Sequence, residues 1–138
     1  MRLEFISIEE ANGLLNQLIE NHPHAIFVTN NDFKIEYFNK SFQKLARQEK
    51  YEILGKGFCE LFGCTFRGKP VNSDSKFCNN CRMCKLLSGS SVSELDIIRE
   101  FNIHNKVITK HFYFTTNRVV MDGKKLRIVV MEDRTSKH

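Results

Sequence analysis

The spacing of apolar residues predicts an amphipathic helix at the start of the chain. Ser7 to Glu10 reads Ser-Ile-Glu-Glu, a capping box in which two side chains satisfy backbone N–H groups at a helix start. Apolar residues then recur on one helical face, at Ala11, Leu14, Leu15, Leu18 and Ile19. Asn21 and Pro23 end the pattern. We expect an N-terminal helix within residues 1–22, with an apolar face to bury against its own domain or a second copy.

The next segment predicts a hairpin followed by short helices. Residues 25–29 are typical of a buried strand, Asn30 to Asp32 of a tight turn, and residues 33–38 of an alternating strand. Asn39 is a typical helix cap, and residues 51–62 favour a second short helical stretch interrupted by glycines. From Thr65 to Lys76 the sequence becomes polar and predicts a loop.

The last third of the chain predicts an antiparallel meander. Three segments carry apolar residues at alternate positions, namely Leu95, Ile97, Phe101, Ile103; then Ile108, Phe112, Phe114; then Leu126, Ile128, Val130. His104 to Lys106 and Asp122-Gly123 separate the segments, and the second is a strong hairpin signal. The order of elements indicates an α+β domain with helices on one face of an antiparallel sheet.

The charge distribution and the absence of targeting signals give limited information about partners and location. The net charge of +5 over 138 residues is dispersed, which disfavours a nucleic-acid partner. Lys124, Lys125 and Arg127 alternate with apolar residues and are typical of the solvated face of a strand. Neither a signal peptide nor an apolar run long enough to cross a bilayer is visible, so we expect a cytoplasmic protein that does not bind membranes.

Three local motifs lie within residues 14–135. Residues 25–39 read AIFVTNNDFKIEYFN, residues 51–56 read YEILGK, and Met131 to Thr135 end in Asp-x-Thr. In this order they resemble a PAS domain: its opening hairpin with the helix that follows, its glutamate-leucine-glycine-lysine segment, and its terminal strand.

The resemblance implies a fold and a role. Residues 23–138 would form a five-stranded antiparallel sheet in the order 2-1-5-4-3, with short helices over a small cavity. PAS domains are usually sensory or dimerising modules rather than enzymes. We therefore expect a homodimer joined through the N-terminal helix, which passes a signal to an output module such as a histidine kinase.

Two cofactors of the family do not fit this sequence. The flavin-binding photosensors carry Asn-Cys-Arg-Phe-Leu-Gln where this chain has residues 57–62, GFCELF, so no flavin is expected. A haem needs an axial ligand, and no histidine lies between Lys50 and Ser93, so no haem is expected either.

Five cysteines bracket the predicted polar loop within residues 59–84. Cys78, Cys81 and Cys84 are spaced so that one turn of chain can present their thiolates to one ion, and Cys64 can supply a fourth ligand. This set predicts a zinc site or an iron–sulfur cluster, against the alternatives of a redox-active disulfide or inert thiols. A subset of PAS domains has similar cysteines, matched by residues 61–64 and 81–84. Cys59 is interpreted as a small buried side chain outside the site.

A set of apolar residues is the candidate lining of a ligand cavity, although simple core packing is the commoner use of such residues. The candidates are Ile26, Val28, Phe38, Phe42, Leu45, Phe62, Phe112 and Phe114. A cavity of this lining would favour an apolar or aromatic molecule.

The main functional hypothesis is a sensory module that responds to redox state, a metal or a small ligand. The sequence has no nucleophile–base arrangement that indicates catalysis. Two alternatives stay open: a thiol-based redox protein that uses Cys78, Cys81 or Cys84, and a dimerisation scaffold that binds no ligand.

Overall fold

The computed structural model describes residues 8–66, 69–70, 85–87 and 93–135. Four helices and seven strands have assigned bounds, and they follow one another as α1 (Ile8–Glu20), β1 (Ala25–Thr29), β2 (Ile35–Phe38), α2 (Lys40–Ala46), α3 (Lys50–Ile53), α4 (Phe58–Leu61), β3 (Phe62–Phe66), β4 (Lys69–Pro70), β5 (Glu94–Ile103), β6 (Lys106–Met121) and β7 (Lys124–Asp133). Residues 85–87 are also helical. Among these described residues, no helix is long and apolar enough to cross a membrane.

The strands form one antiparallel sheet in the order β2-β1-β7-β6-β5-β3-β4. Its first five members reproduce the predicted order 2-1-5-4-3, which confirms the α+β fold class. The turns of the meander are also confirmed. His104 and Asn105 have φ of 49° and 66°, and Asp122 and Gly123 have φ of 50° and 78°. Such left-handed pairs match the two-residue turns that join twisted antiparallel strands.

The edge beyond β5 differs from the sequence prediction. The helical stretch was expected to include Phe62 and the loop to begin at Thr65, but residues 62–66 form β3, which pairs with β5. The end of β3 pairs in turn with β4. A β-carbon at Gly63 would lie only 3.3 Å from Asn102, so the glycine permits the close approach of β3 to β5. This long-range pairing outweighs the weak local pattern.

The core lies on the face of the sheet covered by α2, α3 and α4, which we call the inner face. Seven phenylalanines there are at most 1% exposed, and we call them the aromatic cluster: Phe27, Phe42, Phe58, Phe62, Phe101, Phe112 and Phe114. On β7, Val129 and Met131 belong to this core, so the apolar row predicted from Leu126, Ile128 and Val130 lies on the opposite, outer face. Leu126 is buried on that face, while Ile128 and Val130 are partly buried.

Candidate functional site

The structure places only part of the predicted cysteine site. Cys64 lies on β3 with its Cα opposite that of Phe101, and its side chain is not among those described. Cys78, Cys81 and Cys84 lie outside the described residues. In the described part of the chain, no group of three or more histidine, cysteine or acidic side chains is placed to hold a metal. The four-cysteine ligand set stays a prediction.

Cys59, the fifth cysteine, lies on α4. It is partly buried and packs against the aromatic cluster and its neighbours. That environment agrees with the interpretation of Cys59 as a packing residue.

Four of the predicted cavity residues belong to the aromatic cluster: Phe42, Phe62, Phe112 and Phe114. The rings stack or meet edge to face, as their quadrupoles favour. The Phe58 and Phe62 rings are stacked with centroids 4.6 Å apart, and Phe62 meets Phe112 edge-on at 6.0 Å. These side chains are therefore packed against other rings in the core.

Three other predicted cavity residues, Ile26, Val28 and Phe38, line a separate groove of about 670 Å³. We call it the outer groove, because it lies between α1 and the outer face of the sheet. The rest of its lining is mostly apolar on the sheet and polar on the helix: Tyr37, Val119, Leu126, Ile128, Asn16, Gln17, Ile19 and Glu20. Among the described residues, the eight predicted residues are therefore divided between the core, this groove and a space beside Leu45.

Leu45, the remaining predicted residue, packs partly against the core. It also lines a third space of about 430 Å³ beside His24 and Asp133. This space lies near the end of β7, close to the Asp-x-Thr segment.

Asn39 joins the two faces of the sheet, and the sequence predicted only part of its role. As predicted, its side-chain oxygen caps α2 by accepting from the Phe42 N–H at 3.0 Å. The same oxygen accepts from the Ile26 N–H, and the amide nitrogen donates to the Ile19 and His24 carbonyls at 2.8 and 3.0 Å. Asn39 is 1% exposed. It therefore couples α1 directly to β1 and α2.

The Asp-x-Thr segment is bonded to β6. The Thr135 hydroxyl donates to Asp133 Oδ1 and accepts from the His111 N–H at 3.0 Å. Lys110 Nζ lies 3.1 Å from Asp133 Oδ2. Burial alone would raise the pKa of Asp133, but the hydrogen bonds from Thr135 and Lys110 together lower that pKa below its ordinary value. The chain therefore leaves the sheet through a charged, hydrogen-bonded junction.

A polar network covers the neighbouring part of the outer face. The His111 ring contacts the Asp96 carboxylate, and Arg134 pairs with Glu132 at 3.1 Å. The Arg134 guanidinium also lies 4.4 Å from the centroid of the Tyr113 ring. The sequence analysis missed this network, although strand alternation places His111 and Tyr113 opposite Phe112 and could have indicated it.

Known proteins are similar to this chain in both sequence and fold. A family model described as "PAS domain" matches residues 13–76. Residues 13–76 therefore match the PAS family in sequence, and the fold of the described residues is that of PAS domains. A comparison with curated proteins found no match.

Solved PAS structures share the fold over nearly the whole chain. The PAS domain of an HTR-like protein from Haloarcula marismortui is 22% identical, with a TM-score of 0.63 and coverage of 91% of this chain and 93% of that one. A PAS domain from a two-component sensor histidine kinase is 8% identical, with a TM-score of 0.64 and coverage of 92% and 99%. The PAS domain of nitrogen regulation protein NR(II) from Vibrio parahaemolyticus is 12% identical, with a TM-score of 0.58 and coverage of 87% and 97%. At these identities the similarity establishes the fold.

Proposed function

We propose that this PAS domain is a sensory, signal-transducing module that works as a homodimer through α1. PAS domains are typically sensory rather than catalytic, and one structural neighbour is a PAS domain from a sensor histidine kinase. The observation that carries the proposal is the coupling of α1 to the sheet through Asn39. A change in the sheet can therefore be transmitted to a helix that faces a second subunit.

The apolar stripe of α1 supports a second copy as its partner. Leu14, Leu15, Leu18 and Ile19 are 40–54% exposed, although their spacing is that of a buried helical face. Contiguous exposed apolar side chains typically mark an interaction surface. A second α1 offers the same stripe, so two copies can bury both stripes against each other.

Sedimentation of the full chain tests the dimer. Leu18→Glu places a charge in the proposed interface and should convert the dimer to a monomer. Val107→Glu is a matched control, because Val107 is 55% exposed and Leu18 is 54% exposed, but Val107 lies in the β5–β6 hairpin. A monomeric parent chain, or dissociation by both substitutions, would exclude α1 as the dimer interface.

For the sensed signal, we propose a zinc ion or an iron–sulfur cluster held by Cys64, Cys78, Cys81 and Cys84. The donor set of four thiolates suits either group. Cys64 lies on a strand paired with β5, so a bound group would be attached to the signalling sheet. A single group would also fasten both ends of the intervening polar segment.

Metal and sulfide analysis of protein purified without oxygen tests this input. Iron with sulfide indicates a cluster, and one zinc without sulfide indicates a zinc site. Hydrogen exchange at residues 133–135 should then differ between the loaded protein and protein stripped of its metal. Cys81→Ser should abolish loading, whereas Cys59→Ser should retain it. Absence of both metals from reduced protein would overturn the ligand set.

A further inference from the structure

Three cations surround a small pocket at one end of the inner face, beyond the aromatic cluster. Arg118 on β6 and Arg127 on β7 are directly opposite each other in the antiparallel register. Lys125 precedes Arg127 by two positions and therefore projects from the same face. The pocket has a volume of about 290 Å³. We call it the basic pocket, and its other lining residues are Thr29, Asn30, Asn31, Phe33, Leu87 and Leu126.

Lys124 and Lys125 are exposed, as the interpretation of a solvated strand requires, but Lys124, Lys125 and Arg127 do not share one face. Lys124 lies on the outer side, where its Nζ is 2.9 Å from Glu36 Oε1. Lys125 and Arg127 lie on the inner side and line the basic pocket. The two neighbouring lysines therefore have different environments.

The pairing of Arg118 with Arg127 is unfavourable without a counter-charge. Like charges directly opposite each other destabilise an antiparallel pair. Burial, and then the charge of Arg118, lower the pKa of Arg127. The Arg127 Nη1 atom does donate to the hydroxyl of Thr116 at 3.2 Å, but a hydroxyl supplies no negative charge.

At the opposite end of the same face, a cation has an acidic partner. There Lys110 is paired with Asp133 at 3.1 Å. By contrast, within the described residues, none of the three cations of the basic pocket makes an ion pair. The inner face thus has one neutralised end and one end with a concentrated positive charge.

We propose that the basic pocket binds a small oxyanion with two negative charges, either a phosphate group or a dicarboxylate. The guanidinium groups of Arg118 and Arg127 would donate paired hydrogen bonds to its oxygens, and Lys125 would add a third positive charge. The volume is close to the lower end of the range for small-molecule sites. This proposal goes beyond the sensory role, because it depends neither on the cysteines nor on dimerisation.

Titration calorimetry of the full chain at low ionic strength tests the site, with inorganic phosphate and succinate as probes. We expect one saturable site for at least one probe. Arg127→Gln and Arg118→Gln should each weaken binding about tenfold or more, since each removes a charge-assisted contact. Lys124→Gln removes an equal charge from the outer face of the same hairpin and should leave the affinity within about twofold.

Thermal unfolding separates a specific site from general charge screening. Without either probe, Arg118→Gln should unfold at the same temperature as the parent chain or slightly higher, because the like-charge pair is relieved. With millimolar phosphate or succinate, the parent chain should gain more thermal stability than this variant.

The relative affinities of the two probes distinguish a phosphate-bearing ligand from a dicarboxylate. Failure of both probes to bind the parent chain would overturn the proposal. Equal losses of affinity in Lys124→Gln and Arg127→Gln would also overturn it, because they would indicate attraction by net charge alone.

Discussion

The two faces of the sheet use similar apolar residues for different purposes. On the inner face, the aromatic cluster is at most 1% exposed, and its rings contact one another closely. On the outer face, Ile26, Val28 and Ile128 line a groove of about 670 Å³ under a helix whose apolar stripe is about half exposed. The inner face is a closely packed core, whereas the described residues leave an apolar groove and an apolar helical stripe partly exposed on the outer side.

The difference follows from what covers each face. Three short helices each contribute buried side chains to the inner face, including Phe42, Ile53 and Phe58. The described residues that share the outer groove with the sheet come from α1 alone, and only Ile19 among them is apolar. The helices that cover a face, more than the alternation of apolar residues along a strand, therefore determine which apolar row becomes the core.

The largest expected effect is the loss of an inner-face ring. Phe62→Ala should lower the free energy of unfolding by about 3–5 kcal/mol, because it removes a fully buried ring and leaves a cavity among four aromatic neighbours. Urea denaturation measures the loss.

Ile128→Ala is the outer-face counterpart of that substitution. Ile128 is only partly buried, so the loss should be about 1 kcal/mol. Similar losses for both substitutions would show that the two faces are packed equally well, contrary to the comparison.

A second prediction concerns Asn39, which joins the faces. Asn39→Ala should cost about 2–3 kcal/mol, because a helix cap is lost and buried backbone groups lose their partners. Hydrogen exchange should also increase in α1, since the bond to the Ile19 carbonyl disappears. Asn31→Ala, at an exposed turn position, serves as the control and should change stability by less than about 0.5 kcal/mol. Unchanged exchange in α1 would show that Asn39 does not hold the helix.

The smallest expected effect is the pH dependence contributed by Asp133. Its folded pKa is lowered, so its stabilising contribution is present above its unfolded pKa, about 4, and disappears as pH falls through the folded value. Asp133→Asn should therefore be less stable than the parent chain near neutral pH and should converge with it in acid. Urea midpoints across the acidic range measure this difference. Asp122→Asn, in an exposed turn, is the control. If this variant changed the urea midpoints across the acidic range as much as Asp133→Asn does, Asp133 would have no special role.

The sequence predicted most of the fold because the decisive signals are local. The helical spacing of apolar residues predicted α1, Asn39 marked the start of α2, and Asp122-Gly123 marked the β6–β7 turn. Strand β3 was missed, because Gly63 interrupts the local strand pattern and the partner strand lies far along the chain. The proposed cysteine ligand set rests on sequence spacing, and the same spacing suits zinc and an iron–sulfur cluster.

The sequence alone therefore determined the order of elements, the turns and which side chains share a strand face, since these depend on neighbouring residues. Only the tertiary structure decided which face is buried. It separated Ile26 and Val28 from Phe42 and Phe62, and it placed Arg118 opposite Arg127. Those relations depend on strand register and helix docking, which bring together residues that have no local pattern in common.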